Sequence, residues 1–147
     1  SKLGSDRFSA MLGAINHFPN KPLLVIDIGS AITFDVVDKT GLHHGGLIMP
    51  GMKALRGSFE KFKTSDLSIG SKGYAINTDD AWSQGTYTMM IGAINYQIES
   101  FQSNFSDGVV AVCGGQAKEI KQELPKYIEL FDNLVLDGLE SYSQSMG

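Results

Sequence analysis

The stretch LLVIDIGSAITFDVVD, residues 23–38, decides the fold. It opens on Leu23, Leu24, Val25 and Ile26, an apolar run bounded by Asn20 and Pro22 on one side and Asp27 on the other. A run this short between turn signals suits a strand buried on both faces. Ile28-Gly29-Ser30 then makes a turn. From Ala31 to Val37, Ile32, Phe34 and Val36 alternate with Thr33 and Asp35, the period of a second strand. Asp38 to Gly41 reads as a hairpin turn, and His43 to Met49 as a third strand ending at Pro50-Gly51. The result is a three-strand antiparallel meander.

The flanks add helices. Asp6 to Asn16 is predicted helical, with Phe8, Met11, Leu12 and Ile15 at helical spacing and Ser5 or Asp6 as cap. Met52 to Phe62 is predicted as a helix and Lys63 to Asn77 as a long loop. Asn77-Thr78-Asp79-Asp80 is a strong helix start, with acids in the first turn. That helix runs to Asn104, about 40 Å at 1.5 Å per residue. Trp82, Met89, Met90, Ile94, Tyr96, Ile98 and Phe101 do not fit one narrow stripe on it. A helix apolar on more than one side needs more than one partner surface; either a second subunit or burial within one domain supplies it. Val109 to Cys113 is a fourth strand, Ala117 to Leu124 a helix, Leu134 to Leu136 a short fifth strand, and Gly138 to Tyr142 a closing helix. The order predicts an α/β fold with a mixed sheet and helices on both faces.

The 147 residues suit a single domain, 1–147. With 42% apolar and 19% charged residues the chain is an ordinary globule rather than a disordered one. No apolar run approaches the roughly 20 residues that cross a bilayer, so no membrane role is expected. A net charge of -4 and no basic stripe argue against nucleic acid as a partner. The lone Cys113 cannot form an internal disulfide, which fits a reducing, cytoplasmic setting.

Four segments carry candidate chemistry. In Gly4-Ser5-Asp6-Arg7, the carboxylate can accept a proton from a hydroxyl, and the guanidinium can hold a carboxylate or phosphate by two parallel hydrogen bonds. The same residues also read as a helix cap with a surface ion pair. In the turn after the first strand, Asp27 needs a cation or donors at its buried position. Gly29 lets backbone approach a ligand, and the Ser30 and Thr33 hydroxyls can face phosphate oxygens. A tight hairpin whose aspartate bonds its own turn is the plainer reading. His43 and His44, neighbours on a strand, point to opposite faces and cannot share a metal, though one can line a pocket. Cys113-Gly114-Gly115-Gln116 opens a helix whose N–H groups suit an anion or a nucleotide sugar, or it is a simple strand-to-helix turn. Thr78 is a helix cap or a cap that also meets substrate at a neighbouring surface.

Taken together, GSDR, DIGSAITFDVVD, HHGGLIMPGM, NTDDAWSQG and VAVCGGQ resemble, in order and spacing from Gly4 to Gly138, the type III pantothenate kinases, also described as the Bvg accessory factor family. The resemblance implies a ribonuclease-H-like sheet of the actin-like kinase superfamily, and ATP-dependent phosphorylation of pantothenate, the first step toward coenzyme A. It assigns Asp6 as proton acceptor and Gly4, Ser5, Asp6 and Arg7 to pantothenate. Asp27 is assigned to a monovalent cation, potassium or ammonium, and Gly29 and Ser30 to ATP, with magnesium arriving on the nucleotide. Ser30 stands where the family has threonine, which keeps the hydroxyl. Thr78 and His43 map to substrate contacts, Thr78 on substrate held mainly by the partner of a homodimer joined through helix 78–104. The family's D-x-G-N-T-x-x-K phosphate loop has no counterpart here, so the chain is expected to match the second half of a two-domain kinase and to be incomplete for catalysis. The alternative is a regulatory or binding protein of the accessory-factor type that keeps the fold without the chemistry.

Overall fold

β1 (Leu23–Ile28) is the centre of the fold. In this computed structural model, which describes residues 1–62 and 73–146, it pairs antiparallel with β2 (Ala31–Val37) on one side and parallel with β4 (Val109–Cys113) on the other. β3 (His43–Pro50) extends the meander, and β5 (Glu129–Leu130) adds a short parallel strand beside β4. The sheet order is β3-β2-β1-β4-β5. Side-chain alternation splits the core in two. Leu24, Ile26 and Ile28 meet Tyr87, Met90, Ile94, Ile98 and Phe101 of α3 (Thr78–Asn104). Leu23 and Val25 meet Ala10 and Ala14 of α1 (Lys2–His17) and Leu134 of α5 (Leu134–Met146). The central strand is therefore buried on both faces, and the mixed sheet with helices on both sides is borne out.

α1 and α5 cross at very short range. A Cβ on Gly138 would overlap the Ser9 carbonyl, and one on Gly13 would meet the Leu134 carbonyl. Only glycine lets two helix backbones come this close. α2 (Met52–Gly57) and α4 (Ala117–Ile120) are single short helices, each extended by a 3-10 turn, at Glu60–Phe62 and Lys121–Glu123. No helix among the described residues is long and apolar enough to cross a membrane.

Several expectations need correction. The first helix begins at Lys2, not Asp6, because Ser1 caps it: Ser1 Oγ accepts from the Gly4 N–H at 3.1 Å. Ser5 donates to the Lys2 carbonyl instead of capping. Leu134 to Leu136 is not a strand but the first turn of α5, where Leu134 and Gly138 lie one helical turn apart against α1. The fifth strand falls earlier, at Glu129–Leu130. The helices expected over 52–62 and 117–124 stop short, at Gly57 and Ile120, before their 3-10 turns. β1 runs one residue past Asp27. Asn77, not Thr78, caps α3, accepting from the Asp80 N–H at 2.8 Å. Of the predicted loop 63–77, residues 63–72 lie outside the described residues.

Candidate functional site

The carboxyl ends of parallel β1 and β4 lie side by side, the place where open α/β sheets hold ligands. Three glycine-containing loops converge there. The Gln116 N–H donates to the Ile28 carbonyl at 3.0 Å, and the Gly51 N–H donates to the Ser30 carbonyl at 3.1 Å. Within the first turn the Gly29 N–H donates to the Ala31 carbonyl at 3.0 Å. Gly29 is half-buried and Ser30 exposed on this edge. Gly114 holds φ +107°, and a Cβ there would strike the Ile28 backbone and stand 2.6 Å from Asp27 Oδ1. That position needs glycine for both its dihedral and its space.

Asp27 lies between Thr33 on β2 and Cys113 on β4. Burial, and then the nearby Asp6 carboxylate, push its carboxyl above the ordinary range. Both causes act in one direction, and neither Asp6 nor Asp27 has an ion-pair partner among the described residues. Uncompensated negative charge at a half-buried position favours a cation. No group of three or more His, Cys, Asp or Glu side chains among the described residues could hold a metal ion, so any ion here would draw further oxygens from a ligand. The Cys113 thiol is pushed up to about 12 by burial and by Asp27, so it stays a small apolar group, as its sequence position suggests. Thr33 is buried, 3% exposed, and its hydroxyl is not offered at the turn as Ser30's is.

α1 brings Asp6 and Arg7 to the same face. The Asp6 carboxylate lies within electrostatic reach of Asp27 and adds to the effect of burial on it. Arg7 makes an ion pair, as the plainer sequence reading allows, but with a buried carboxylate rather than at the surface. Its Nε and Nη2 donate to Asp35 Oδ2 and Oδ1 at 2.9 and 2.6 Å. His43 joins them, with Nε2 at 2.8 Å from Asp35 Oδ1. Asp35 is one of the few charged residues of the core, and sequence reasoning missed it as a site residue. The available signal was a carboxylate at an inward position of a strand, two residues from Thr33 and four from Ala31. His44 turns to the other face, bonding Asp38 at 2.7 Å with its ring 6.4 Å from Phe105 of the α3 side, so the two histidines do point apart. Gly4 and Ser5 are exposed in the first turn of α1.

Thr78 is not brought to this cluster within one chain. α3 packs on the opposite face of the sheet from α1, and Thr78 is exposed. A helix of about 40 Å outruns strands of about 20 Å. Its first turns instead pack on α2, where Trp82 Nε1 donates to the Arg56 carbonyl at 3.2 Å and the buried Arg56 donates to Thr86 Oγ1 at 3.1 Å. Trp82 also stacks on Phe62 at 5.4 Å.

Beside Asp27 opens a cleft of about 330 Å³. One wall is Cys113, Gly114, Gly115 and Lys118; the other is the segment from Leu130 to Leu136. Its volume is within the range of small-molecule sites. Asp27 belongs both to this cleft and to the Asp6 cluster. The arrangement can place an anionic, cation-bearing ligand in the cleft and a second reactant against Asp6.

The chain is similar to known proteins over nearly its whole length. The type III pantothenate kinase of Herminiimonas arsenicoxydans is 36% identical over 149 residues, covering 96% of this chain and 57% of its own length. That of Psychrobacter arcticus is 37% identical over 145 residues, with 96% and 57% covered. The chain thus spans under two thirds of the length of these relatives. Among solved structures, a Baf family protein from Campylobacter jejuni superposes with a TM-score of 0.65 at 20% identity, over 97% of this chain and 64% of that one. MreB5 of Spiroplasma citri bound to ADP superposes at 0.59 and 14%, over 97% and 59%. These likenesses bear out the α/β fold as ribonuclease-H-like and actin-like in architecture. The family model of type III pantothenate kinase matches residues 1–100. The chain belongs to the type III pantothenate kinase family.

Proposed function

We propose that the protein transfers the γ-phosphoryl group of ATP to the primary hydroxyl of pantothenate, and that this chain supplies the second half of a two-domain kinase. The observation that supports the reading is the half-buried Asp27 at the carboxyl edge of the parallel strands, beside the Gly29-Ser30 turn and within electrostatic reach of Asp6. Phosphoryl transfer asks a protein for positioning and charge neutralisation more than for covalent chemistry. Asp6 orients the hydroxyl and accepts its proton. Gly4, Ser5, Arg7 and His43 bind pantothenate. Gly29 and Ser30 face the phosphates, and the cleft along Gly114-Gly115 takes the nucleoside. Asp27, raised by burial and then by Asp6, would hold a potassium or ammonium ion that offsets charge beside the phosphates, while magnesium comes with ATP. The family's phosphate loop would come from the other half.

Thr78 would act on substrate bound in a second subunit. Met89 and Tyr96 of α3, 61% and 68% exposed on the side away from the sheet, are the apolar surface through which a homodimer would form. A reducing cytoplasm suits the thiol of Cys113.

The test is ADP release with pantothenate, magnesium ATP and potassium, run on this chain and on the intact protein. Activity in the intact protein supports the kinase reading, and its absence from the isolated chain supports the half-enzyme reading. Absence from both would favour an accessory-factor role without chemistry.

A further inference from the structure

We infer that Asp35 is a positioning residue, which holds Arg7 by one edge of its guanidinium and His43 by Nε2, so that the free edge of the guanidinium meets a carboxylate of the substrate and the free Nδ1 of His43 accepts from a hydroxyl or N–H of it. The inference rests on the proposed reading of Arg7 and His43 as substrate-binding residues and adds the group that sets them.

The Asp35 side chain is 3% exposed, whereas those of Arg7 and His43 are 21% and 42% exposed. The buried carboxylate is therefore the foundation and the two donors are the outward layer. A guanidinium has five N–H groups in a rigid fork. Asp35 takes the Nε–Nη2 edge, side-on, with both contacts within 2.9 Å. The Nη1–Nη2 end is left, and it is the edge that can take a second carboxylate by two parallel bonds. A carboxylate can only accept from His43, so the ring proton sits on Nε2 and Nδ1 is the ring atom left for a ligand. Asp35 thus sets the rotamer of one donor and the tautomer of the other.

The strand beneath is shaped for this arrangement. A Cβ on Gly46 of β3 would overlap Asp35 Oδ1 and the Phe34 carbonyl and would stand 2.7 Å from Arg7 Nη2. The guanidinium lies where any other residue of β3 would put a side chain. Val25 pairs with Asp35 and Asp27 with Thr33, so Asp35 lies two residues along the same sheet face from Asp27. That spacing keeps the Arg7–His43 pair on the reacting side without joining the Asp6–Asp27 charge.

Asp35→Asn in the intact protein removes the charge and one acceptor at almost constant shape. We expect the KM for pantothenate to rise by about 10- to 100-fold, as when a ligand-orienting partner is lost, with the KM for ATP and kcat within about twofold. The Arg7 Nε–H, followed by NMR, should exchange with solvent at least about tenfold faster than in the wild type. Asp35→Ser, smaller than the native side chain and without the charge, frees both donors without a backbone clash. It should reproduce the same split in KM, and it decides the matter if Asp35→Asn does not fold. Unchanged KM for pantothenate in the folded variants would overturn the inference. So would a rise in both KM values together with a fall in thermal stability, the signature of a purely structural carboxylate. If the wild-type intact protein fails to phosphorylate pantothenate, the kinase reading fails, and the exchange rate alone decides on Asp35: an unaltered Arg7 Nε–H in Asp35→Asn overturns its positioning role.

Discussion

Gly114→Ala strikes the loop that closes over Asp27. Two costs can be worked from the structure. At φ +107° an alanine pays the left-handed penalty of about 1–2 kcal/mol. Its Cβ would also collide with the Ile28 carbonyl and lie 2.5 Å from the Ile28 nitrogen and 2.6 Å from Asp27 Oδ1. Two of those three neighbours are backbone of the central strand and cannot swing aside, so overpacking adds about 1–3 kcal/mol. Together these costs are about 2–5 kcal/mol, or roughly 4–20 °C in Tm for a domain of this size. Gly115→Ala is the control one residue on. A Cβ there has nothing within 4 Å, and its φ is not positive. Its effect should stay within about 0.5 kcal/mol. Denaturant and thermal unfolding followed by circular dichroism measure both variants. ATP binding should weaken in Gly114→Ala and not in Gly115→Ala. Equal stability losses, or a Gly114→Ala variant as stable as wild type, would refute the packing of this loop on Asp27.

Asp27→Asn should raise stability at neutral pH while abolishing activity. The Asp27 carboxyl is raised in the folded state from an ordinary value of 3.8 by burial and by Asp6. The folded state therefore holds its proton more tightly, and wild-type stability falls as pH climbs from that ordinary value through the raised one, remaining reduced above it. Asparagine carries no such penalty, so the variant's Tm advantage should be full at pH 7 and vanish below the ordinary carboxylate range; an advantage that grows on acidification would contradict the assignment. Gly138→Ala would set a Cβ on the Ser9 carbonyl and force α5 away from α1. A loss of about 2–4 kcal/mol is expected in urea unfolding, and a neutral outcome would mean the two helices do not cross as closely as described.

Residues 23–50 were legible because a period of two is visible wherever one strand face is buried. Ile32, Phe34 and Val36 mark the face that meets α3, and both strand ends fall at turn residues. The bounds of α3 were legible for a different reason: Asn77 and the acids behind it combine a cap with the favourable end of the helix dipole. Leu134-Val135-Leu136 misled because three apolar residues are compatible with either period. What decides it is Gly138, one turn on, which has meaning only once Ser9 of α1 is known to lie against it. The start of α1 was misplaced because Ser1, Ser5 and Asp6 can each serve as a cap, and Ser1 is the one whose hydroxyl meets a free N–H.

The site divides in the same way. Asp27 stood out as a carboxylate at the end of an apolar strand, and Asp6 as an acid beside an arginine. Their proximity is tertiary and was not visible. Asp35 was hidden by its regular place in the alternation, where its partners Arg7 and His43 come from other elements. One edge of the Arg7 fork is taken by Asp35, which leaves the other for two parallel bonds to a ligand.

The most direct measurement is the turnover of pantothenate by the intact protein, with magnesium ATP and potassium, for wild type and Asp6→Ala. A lost general base should lower kcat by about 10²–10⁴-fold while ATP binding stays as it was. Turnover near the wild-type rate would contradict the role given to Asp6.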